Sequence, residues 1–508
     1  MNGPTAPRPL PRWIADPSRR IGALALLAIF TRLLASLTDV VIHPDSPRYL
    51  KMATLIGQAR FGEAFRIYPW SHPLYSILVA FGEVFVKNQL GVALAVASVL
   101  GGLGVVPFFH LARAGWGERV ATLAALLYAF LPEMVELHGQ ALPEGPFYFF
   151  FLSGMALAWS AVERKSWERA VLGGLSASAA WMTRPEGMYV PLLLLFALAW
   201  HPRRFSLAAA GLFLASALVL SYPYLTFIRQ ETGKWGVSAS PLSKGVLGLL
   251  TGETKATGYQ VDPSRDDQPF GPYRYIVKFG KILGPVLYIL KTCAQDLSYV
   301  LAPFLVLGFI FLRTPETRWG PASYLVGAGV GYAIPPCLAF VAATPFSYRY
   351  ILPSMVFFLP VVAVGLERAA RWSRWRPALA TFLLVTCLAM SVRFMRPKMN
   401  GKIALKEAGT AILRAYGPGR HILGTRREVE FYARGEFSDI PYPPIPLSAV
   451  EAILEKDRID TVAIFEDDLK NCPPGTKELV ERNFVPMGLW PQTPRKDVSS
   501  VRVWVKPR

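Results

Sequence analysis

The chain has 508 residues, of which 52% are hydrophobic and only 18% are charged. This composition is too apolar and too poor in charge for an ordinary soluble protein, and it indicates a membrane protein. The formal net charge is +19 at pH 7. The basic residues lie mostly in short links between apolar segments. We therefore interpret the positive charge as a signal for orientation in the membrane, and we predict no nucleic-acid partner.

The first apolar segment, Ile21–Ile42, follows Arg19 and Arg20. It is too long for the core of a signal peptide and has no small-residue cleavage pattern. We therefore predict an uncleaved membrane anchor preceded by a cytoplasmic tail at residues 1–20. Arg32 lies in the middle of this segment, where a charge is expected to face the interior of a helix bundle.

Apolar segments recur along the chain to about residue 395, and several reach the roughly 20 residues that a bilayer span needs. We predict about eleven spans. Their approximate bounds are 21–42, 90–112, 119–135, 144–162, 169–182, 187–200, 205–228, 283–312, 321–343, 350–366 and 377–395. The apolar segment His72–Val86 is shorter and carries Glu83. We predict that it is a re-entrant or juxtamembrane helix.

The basic residues support this topology. With a cytoplasmic N-terminus, the short outer links hold only Arg184 and Arg349, whereas the inner links hold Arg113, Arg119, Arg164, Lys165, Arg169, Arg203, Arg204, Arg313, Arg318, Arg368, Arg371, Arg374 and Arg376. Cytoplasmic links are typically enriched in this way. If residues 72–86 crossed the membrane, every later link would invert and the bias would fail.

Four cysteines, at positions 293, 337, 387 and 472, are scattered along the chain. They show neither a pairing motif nor metal-ligand spacing, so we predict neither a disulfide framework nor a zinc site.

The tail after the last span lies on the outer side, because the number of spans is odd. Its hydrophobic pattern predicts a small α/β domain at residues 396–508. The predicted elements are helices at Ile403–Ala415 and Leu447–Lys456 and strands at His421–Gly424, Thr461–Phe465 and Ser499–Val505. There is no glycine-rich phosphate loop, which argues against nucleotide chemistry.

The outer links repeat one theme, an acidic residue beside proline at a membrane boundary. Asp45 lies in His43–Leu50, Glu144 follows Pro143, and Glu186 follows Pro185. The simpler interpretation is that each marks the start of a helix.

Asp45 has additional neighbours that favour function. Arg48, Tyr49 and Lys51 follow it within two turns of a predicted helix, and a carboxylate beside cations fits a base next to an anion site. His72 begins the re-entrant helix and is a further polar candidate; its alternative is an interfacial histidine.

Three short motifs together resemble the GT-C membrane glycosyltransferases. They are His-Pro-Asp-Ser-x-x-Tyr-Leu at 43–50, His-Pro-Leu-Tyr at 72–75 and Leu-Pro-Glu-Gly-Pro at 142–146. The nearest group is glycosyltransferase family 39, the dolichyl-phosphate-mannose-protein mannosyltransferase-like family, which includes protein O-mannosyltransferases and lipid A aminoarabinose transferase. The likeness covers roughly residues 20–230. It implies a polytopic α-helical GT-C catalytic domain at 21–395, with outer loops 43–89 and 229–282, followed by the periplasmic α/β domain.

The resemblance also implies an activity, the transfer of a hexosyl or pentosyl group from a polyprenyl-phosphate-linked donor to a glycan, lipid or protein acceptor. Asp45 matches the first-loop acid, which acts as general base on the acceptor or orients it, and Glu144 matches the second-loop acid. Serine stands at 46, where many members have a second acid. We therefore predict no required cofactor and leave a divalent cation as the alternative.

The departing phosphate needs cations, and arginine suits phosphate best. The candidates for contact with the substrates are Arg48, Tyr49, Lys51, His72, His138, Arg184, Glu186 and Arg349. Arg349 lies in an Arg-Tyr-hydrophobic element similar to one in the family; its alternative role is a snorkelling anchor.

The layout and the resemblance favour a bacterial inner membrane with the active side in the periplasm. Two other functions stay open. A transporter or flippase of lipid-linked saccharides would carry ionisable groups near the midplane of the membrane, and a non-catalytic sensor would use the outer tail to bind a ligand.

Overall fold

The computed structural model describes residues 16–67, 71–193, 207–233, 235, 271–341, 348–371, 376–396, 402–440, 446–469, 471–492 and 498–507. The chain folds into two compact units. The first contains Met1–Ser36, Leu55–Gly139 and Pro143–Met395, and the second contains Leu37–Thr54, Gln140–Leu142 and Arg396–Arg508. The end of the predicted span 21–42 with the residues up to Thr54, and the link Gln140–Leu142, therefore belong to the same unit as the tail.

The part of the chain that precedes the tail is helical. Its helices are α1 Pro17–Ser36, α2 Ser46–Gly57, α3 Phe61–Ile67, α4 Leu74–Phe85, α5 Gln89–Leu103, α6 Val105–Phe130, α7 Pro132–His138, α8 Glu144–Arg164, α9 Trp167–Thr183, α10 Leu207–Thr232, α11 Gly271–Asp296, α12 Ala302–Ile310, α13 Trp319–Val341, α14 Leu352–Arg371 and α15 Arg376–Phe394. Short 3₁₀ turns at Pro185–Met188 and Tyr348–Tyr350 follow α9 and precede α14.

Within the described residues, four helical stretches are long and apolar enough to cross a membrane. They are Gln89–Phe130, Glu144–Arg164, Leu207–Gln230 and Leu352–Arg371, and shorter apolar helices occur at Leu74–Phe85 and Thr381–Phe394. The prediction of a polytopic α-helical membrane protein is confirmed. Residues 194–200 of the predicted span 187–200 and residues 236–270 of the predicted outer loop 229–282 lie outside the described residues.

The longest stretch, Gln89–Phe130, has 42 residues. A straight helix of this length would measure about 63 Å, roughly twice the thickness of the hydrocarbon core. Gly117 interrupts it with a φ of 81°, a conformation that glycine adopts without a steric penalty. This break falls between the predicted spans 90–112 and 119–135.

Glycines allow close approach of helix backbones in the first unit. A side chain at Gly308 of α12 would clash with the Val361 carbonyl of α14, and one at Gly365 of α14 would clash with the Phe304 carbonyl of α12. Small residues at helix contacts are typical of membrane bundles, where close packing replaces the hydrophobic driving force.

Arg32 is fully buried, which confirms that it faces the interior. Its Nη1 and Nη2 donate to the carbonyls of Ala28 and Tyr128 at 2.9 and 3.1 Å, and its Nε donates to His138 Nδ1 at 3.1 Å. The guanidinium carbon also lies 4.9 Å from the centre of the Tyr128 ring. The charge is thus satisfied by oriented dipoles, as a buried cation requires.

The second unit contains a five-stranded sheet in the order β2-β1-β3-β5-β4. Its strands are β1 His421–Gly424, β2 Glu436–Asp439, β3 Thr461–Phe465, β4 Val485–Trp490 and β5 Val501–Val505. β1 pairs in parallel with β2 and β3, whereas β5 pairs antiparallel with β3 and β4. The helices of the tail are α16 Ile403–Tyr416, α17 Glu428–Ala433, α18 Leu447–Lys456, α19 Glu466–Leu469 and α20 Thr476–Asn483.

Alternate residues of the strands fill two cores, one on each side of the sheet. Ile422 and Ala463 belong to the core that contains α16, whereas their neighbours Leu423 and Val462 belong to the other. This alternation follows from the two-residue period of a strand, and burial on both faces explains why Val462–Phe465 of β3 are all apolar.

The predicted α/β tail is therefore confirmed, and the five predicted elements are present as α16, β1, α18, β3 and β5. The sequence analysis missed β2, which is polar, and β4, which carries Pro486 and a register irregularity before Gly488. Proline and glycine weaken a strand pattern in sequence.

Candidate functional site

Four of the predicted site residues, Glu144, Arg184, Glu186 and Arg349, form one cluster in the first unit. Each lies at the end of a helix. Glu144 opens α8, Arg184 follows α9, Glu186 lies in the 3₁₀ turn after it, and Arg349 lies in the 3₁₀ turn before α14. All four residues therefore lie where the sequence analysis placed a boundary between a membrane span and an outer link.

Glu144 joins two arginines through one oxygen atom. Its Oε1 accepts a 2.9 Å hydrogen bond from Arg349 Nε, and Arg349 Nη2 and Arg184 Nη1 bond to the same oxygen. Arg184 also holds Glu186 in a two-pronged contact, Nε to Oε2 at 3.2 Å and Nη2 to Oε1 at 2.9 Å. Arg184 is therefore the bridge between the two carboxylates.

The cluster is largely removed from water. The side chains are 2% exposed for Glu144, 10% for Glu186, 12% for Arg184 and 15% for Arg349. Burial alone would raise the pKa of Glu186, but the charge and hydrogen bonds of Arg184 outweigh it and lower that pKa below its ordinary value. Two carboxylates and two guanidinium groups leave the cluster formally neutral.

Among the described residues, two buried polar atoms beside this cluster find no hydrogen-bond partner, Glu144 Oε2 and the Tyr148 hydroxyl. Both residues lie on one face of α8, since they are four positions apart. Buried polar atoms are normally paired, so this face offers an acceptor and a hydroxyl to a bound group. The sequence analysis missed Tyr148, although the four-residue spacing from Glu144 could have identified it.

Aromatic rings flank the bridging arginine. The Arg184 guanidinium carbon lies 5.7 Å from the centre of the Phe147 ring and 5.8 Å from that of Tyr350. Such stacking favours the planar guanidinium over a lysine ammonium.

The two histidines predicted as candidates, His72 and His138, have different neighbours. His72 is buried, with its ring 5.4 Å from Trp181 and 5.3 Å from Tyr224, and it interacts electrostatically with Glu186. His138 accepts the hydrogen bond of Arg32 Nε, and its ring lies 4.9 Å from that of Tyr148. His138 therefore links Arg32 to the face of α8 that carries Glu144.

The other predicted residues, Asp45, Arg48, Tyr49 and Lys51, lie in the second unit, at the start of α2. The Asp45 carboxylate is 35% exposed, with Arg48 Nη1 at 3.8 Å from Oδ1. Its backbone N–H donates to His43 Nδ1 at 3.1 Å. Tyr49 is partly buried in the first turn of α2.

Lys51 has a partner that the sequence did not indicate. Its Nζ donates to Glu430 Oε1 of α17 at 3.5 Å. The lysine proposed for phosphate is therefore held by a carboxylate of the tail.

Two buried carboxylates, Glu133 and Asp296, lie near the partly exposed Arg393 in the first unit, and the sequence analysis missed this charged group. Glu133 and Asp296 are 5% and 1% exposed. Arg393 pairs with Glu133, and its Nη1 donates to Ser298 Oγ at 3.4 Å.

Over the described ranges of the chain, no three histidine, cysteine or acidic side chains are grouped so as to hold a metal ion. Glu144 Oε1, the most central carboxylate oxygen of the site, already accepts guanidinium N–H groups.

Comparison with known proteins agrees with the predicted resemblance. Residues 71–226 match the family described as dolichyl-phosphate-mannose-protein mannosyltransferase, and this segment carries His72, Glu144, Arg184 and Glu186. A comparison with curated protein sequences gives no significant match.

Solved structures from Cupriavidus metallidurans and Archaeoglobus fulgidus are similar in fold to this chain. ArnT from Cupriavidus metallidurans, bound to undecaprenyl phosphate, is 13% identical with a TM-score of 0.57, over 96% of this chain and 98% of that one. The oligosaccharyltransferase AglB from Archaeoglobus fulgidus, with an inhibitory peptide and a dolichol-phosphate, is 12% identical with a TM-score of 0.51, over 94% and 74%. The Archaeoglobus fulgidus oligosaccharyltransferase with Zn and sulfate is 12% identical with a TM-score of 0.53, over 92% and 71%.

These likenesses extend over nearly the whole chain, so they include both units and not only the segment that matches the family. The chain is a membrane protein of the GT-C fold, similar over residues 71–226 to the dolichyl-phosphate-mannose-protein mannosyltransferase family and similar in fold to ArnT.

Proposed function

We propose that the protein is a membrane glycosyltransferase that moves a hexosyl or pentosyl group from a polyprenyl-phosphate-linked donor to a glycan, lipid or protein acceptor. The observation that carries the proposal is the buried cluster in which Arg184 and Arg349 share Glu144. The fold supports it, since the similar structures of ArnT and AglB contain undecaprenyl phosphate and dolichol-phosphate.

The two arginines suit the leaving group of this reaction. A guanidinium presents several N–H donors in one plane and binds phosphate oxygens in pairs. Held in a site with little water, such donors stabilise developing negative charge without having to reorganise. Because both arginines are fixed by one carboxylate, they are already oriented before the phosphate arrives.

Transfer itself requires a base for the acceptor. In our proposal the Asp45 carboxylate takes the proton of the acceptor hydroxyl as its oxygen bonds to the anomeric carbon of the sugar. The bond from that carbon to the phosphate oxygen breaks, and the polyprenyl phosphate leaves with its negative charge stabilised by Arg184 and Arg349. Asp45 is suited to the role because it is 35% exposed and can meet a substrate.

Glu144 takes a different part in the proposal. Since its Oε1 already accepts hydrogen bonds from both arginines, it is a positioning residue for these cations. Its unpaired Oε2 and the Tyr148 hydroxyl are suited to a hydroxyl group of the sugar. Arg48 and His72 remain proposed substrate contacts. Because the inner links are basic, we propose that the active side faces the periplasm of a bacterial inner membrane.

The proposal is tested by transfer of radiolabelled sugar. Purified protein in detergent is given a panel of synthetic polyprenyl-phosphate sugars and a membrane extract as the source of acceptors, and both labelled product and released polyprenyl phosphate are measured. We expect turnover of one donor by the wild type and loss of turnover by Asp45→Asn. Asp16→Asn, at an exposed position before α1, is the matched control.

Two outcomes would count against the proposal. If no donor is turned over, the flippase or sensor function becomes the better explanation. If Asp45→Asn is as active as the wild type, Asp45 is not the base.

A further inference from the structure

The segment that carries Asp45 is structurally part of the tail. Residues Leu37–Thr54 fall in the same unit as Arg396–Arg508, although more than 300 residues of sequence separate them. The contacts that join them come from two helices of the tail, α16 and α17.

The first contact lies on the N-terminal side of Asp45. The backbone N–H of Ile42 donates to the Tyr432 hydroxyl at 3.0 Å. Beside it, Lys406 Nζ donates to the Val40 carbonyl at 3.4 Å and lies 5.9 Å from the centre of the Tyr432 ring. The chain just before Asp45 is therefore bonded through its backbone.

The second contact lies on the C-terminal side of Asp45. Lys51 Nζ pairs with Glu430 Oε1 at 3.5 Å, and the Glu430 side chain is only 7% exposed. A partly buried pair of this kind is screened less by solvent than a surface pair. It fixes the first turns of α2, which begin directly after Asp45.

Helix α17 is itself held firmly. A Cβ atom at Gly409 of α16 would lie 2.7 Å from both the Val429 carbonyl and Tyr432 Cβ, so only glycine allows the two helices to approach this closely. Lys402 Nζ, directly before α16, also pairs with the Glu428 carboxylate of α17 at 3.3 Å. The contacts to Ile42 and Lys51 thus start from a rigid support.

We propose that Glu430 and Tyr432 are positioning residues of the tail that hold the Asp45 carboxylate in place. They contact the segment three residues before Asp45 and six residues after it, and neither contact uses Asp45 itself. The inference rests on the proposed function, because it assigns to the tail the placement of the proposed base. The groups that hold the segment are the charge of Glu430 and the hydroxyl of Tyr432. Coverage of the segment by the tail would not be enough.

The test uses the full-length protein and two conservative variants, Glu430→Gln and Tyr432→Phe, in the sugar-transfer assay. Misplacement of a catalytic group by about 1 Å is expected to slow reaction about 10²-fold. We expect kcat to fall by at least about tenfold on this basis, with little change in the KM for the donor. Glu436→Gln, on strand β2 of the same unit, is the control and is expected to keep full activity.

Hydrogen exchange of residues 37–54 gives a readout that does not depend on activity. It is expected to accelerate in both variants and to stay unchanged in Glu436→Gln. The double variant with Lys51→Glu and Glu430→Lys, which reverses the pair, is expected to restore slow exchange. If the wild type transfers no sugar, the proposed function fails, whereas the exchange data still test the contacts. If the wild type is active and both variants keep its kcat and its exchange rates, the inference is overturned.

Discussion

Arg349 Nε donates a 2.9 Å hydrogen bond to Glu144 Oε1, although 205 residues separate them in the chain. This bond ties the 3₁₀ turn before α14 to the first residue of α8. Because Arg184 bonds to the same oxygen, a single carboxylate contacts both cations. A change at this carboxylate is therefore expected to affect both arginines together.

Replacement of Glu144 by glutamine is expected to remove both activity and stability. The change removes the negative charge that Arg184 and Arg349 share, and loss of one partner of a buried ion pair costs about 3–5 kcal/mol. Asp45→Asn is the comparison, since its half-exposed carboxylate should affect transfer and not folding. Thermal unfolding in detergent and the transfer assay measure both effects. An inactive Glu144→Gln protein with an unchanged unfolding temperature would contradict the positioning role.

Arg349→Lys keeps the positive charge but is expected to lower the transfer rate about 10²-fold. A lysine ammonium cannot reproduce the planar pair of N–H donors that meets Glu144 and, in our proposal, the phosphate. The control is Arg368→Lys, in the last turn of α14, whose guanidinium lies 4.7 Å from the centre of the Phe311 ring. An active Arg349→Lys enzyme would show that only charge is needed at this position.

The stability of the tail is expected to depend on pH through Glu430. Burial raises the pKa of this carboxyl above its ordinary value of 4.5, although Lys51 and Arg427 oppose the shift. The folded state therefore binds the proton more tightly than the unfolded state, and the stability that this provides is full below about pH 4.5 and is lost as pH rises through the raised value.

Glu430→Gln cannot ionise, so its unfolding temperature should improve relative to that of the wild type as pH rises from 4 to 8. The exposed Glu436→Gln should follow the wild type in parallel over the same range. If the difference between Glu430→Gln and the wild type is constant with pH, the carboxyl does not have a raised pKa.

Gly365→Ala is expected to destabilise the membrane bundle, because a methyl group there would meet the Phe304 backbone carbonyl and force α12 away from α14. Gly331→Ala in α13 is the matched change, since among the described residues no atom outside the neighbouring backbone of α13 lies within 4 Å of the new methyl group. It should be neutral or stabilising by up to about 1 kcal/mol, the usual advantage of alanine over glycine within a helix. Unfolding in detergent or sensitivity to protease distinguishes the two. Equal stability of the two variants would mean that the helices can separate without loss.

Local sequence patterns were enough to predict much of the architecture. Apolar length and the distribution of arginines indicated a polytopic membrane protein, and the strand and helix periods of the tail predicted β1, β3 and α16. The acidic residues beside proline in the outer links led to Glu144 and Glu186, and the charge bias selected Arg184 and Arg349. Each of these signals is contained within a short stretch of chain, where residue type and spacing act directly.

The sequence by itself thus determined which segments are apolar, which links carry charge and which residues are candidates, whereas only the tertiary structure decided how these candidates are paired. Glu144 bonds to Arg349 over 205 residues and Lys51 to Glu430 over 379. No local pattern encodes such pairs, because they depend on the packing of helices that are distant in sequence. The same holds for the unpaired Tyr148 hydroxyl, since a polar atom becomes unsatisfied only when surrounding helices exclude water from it.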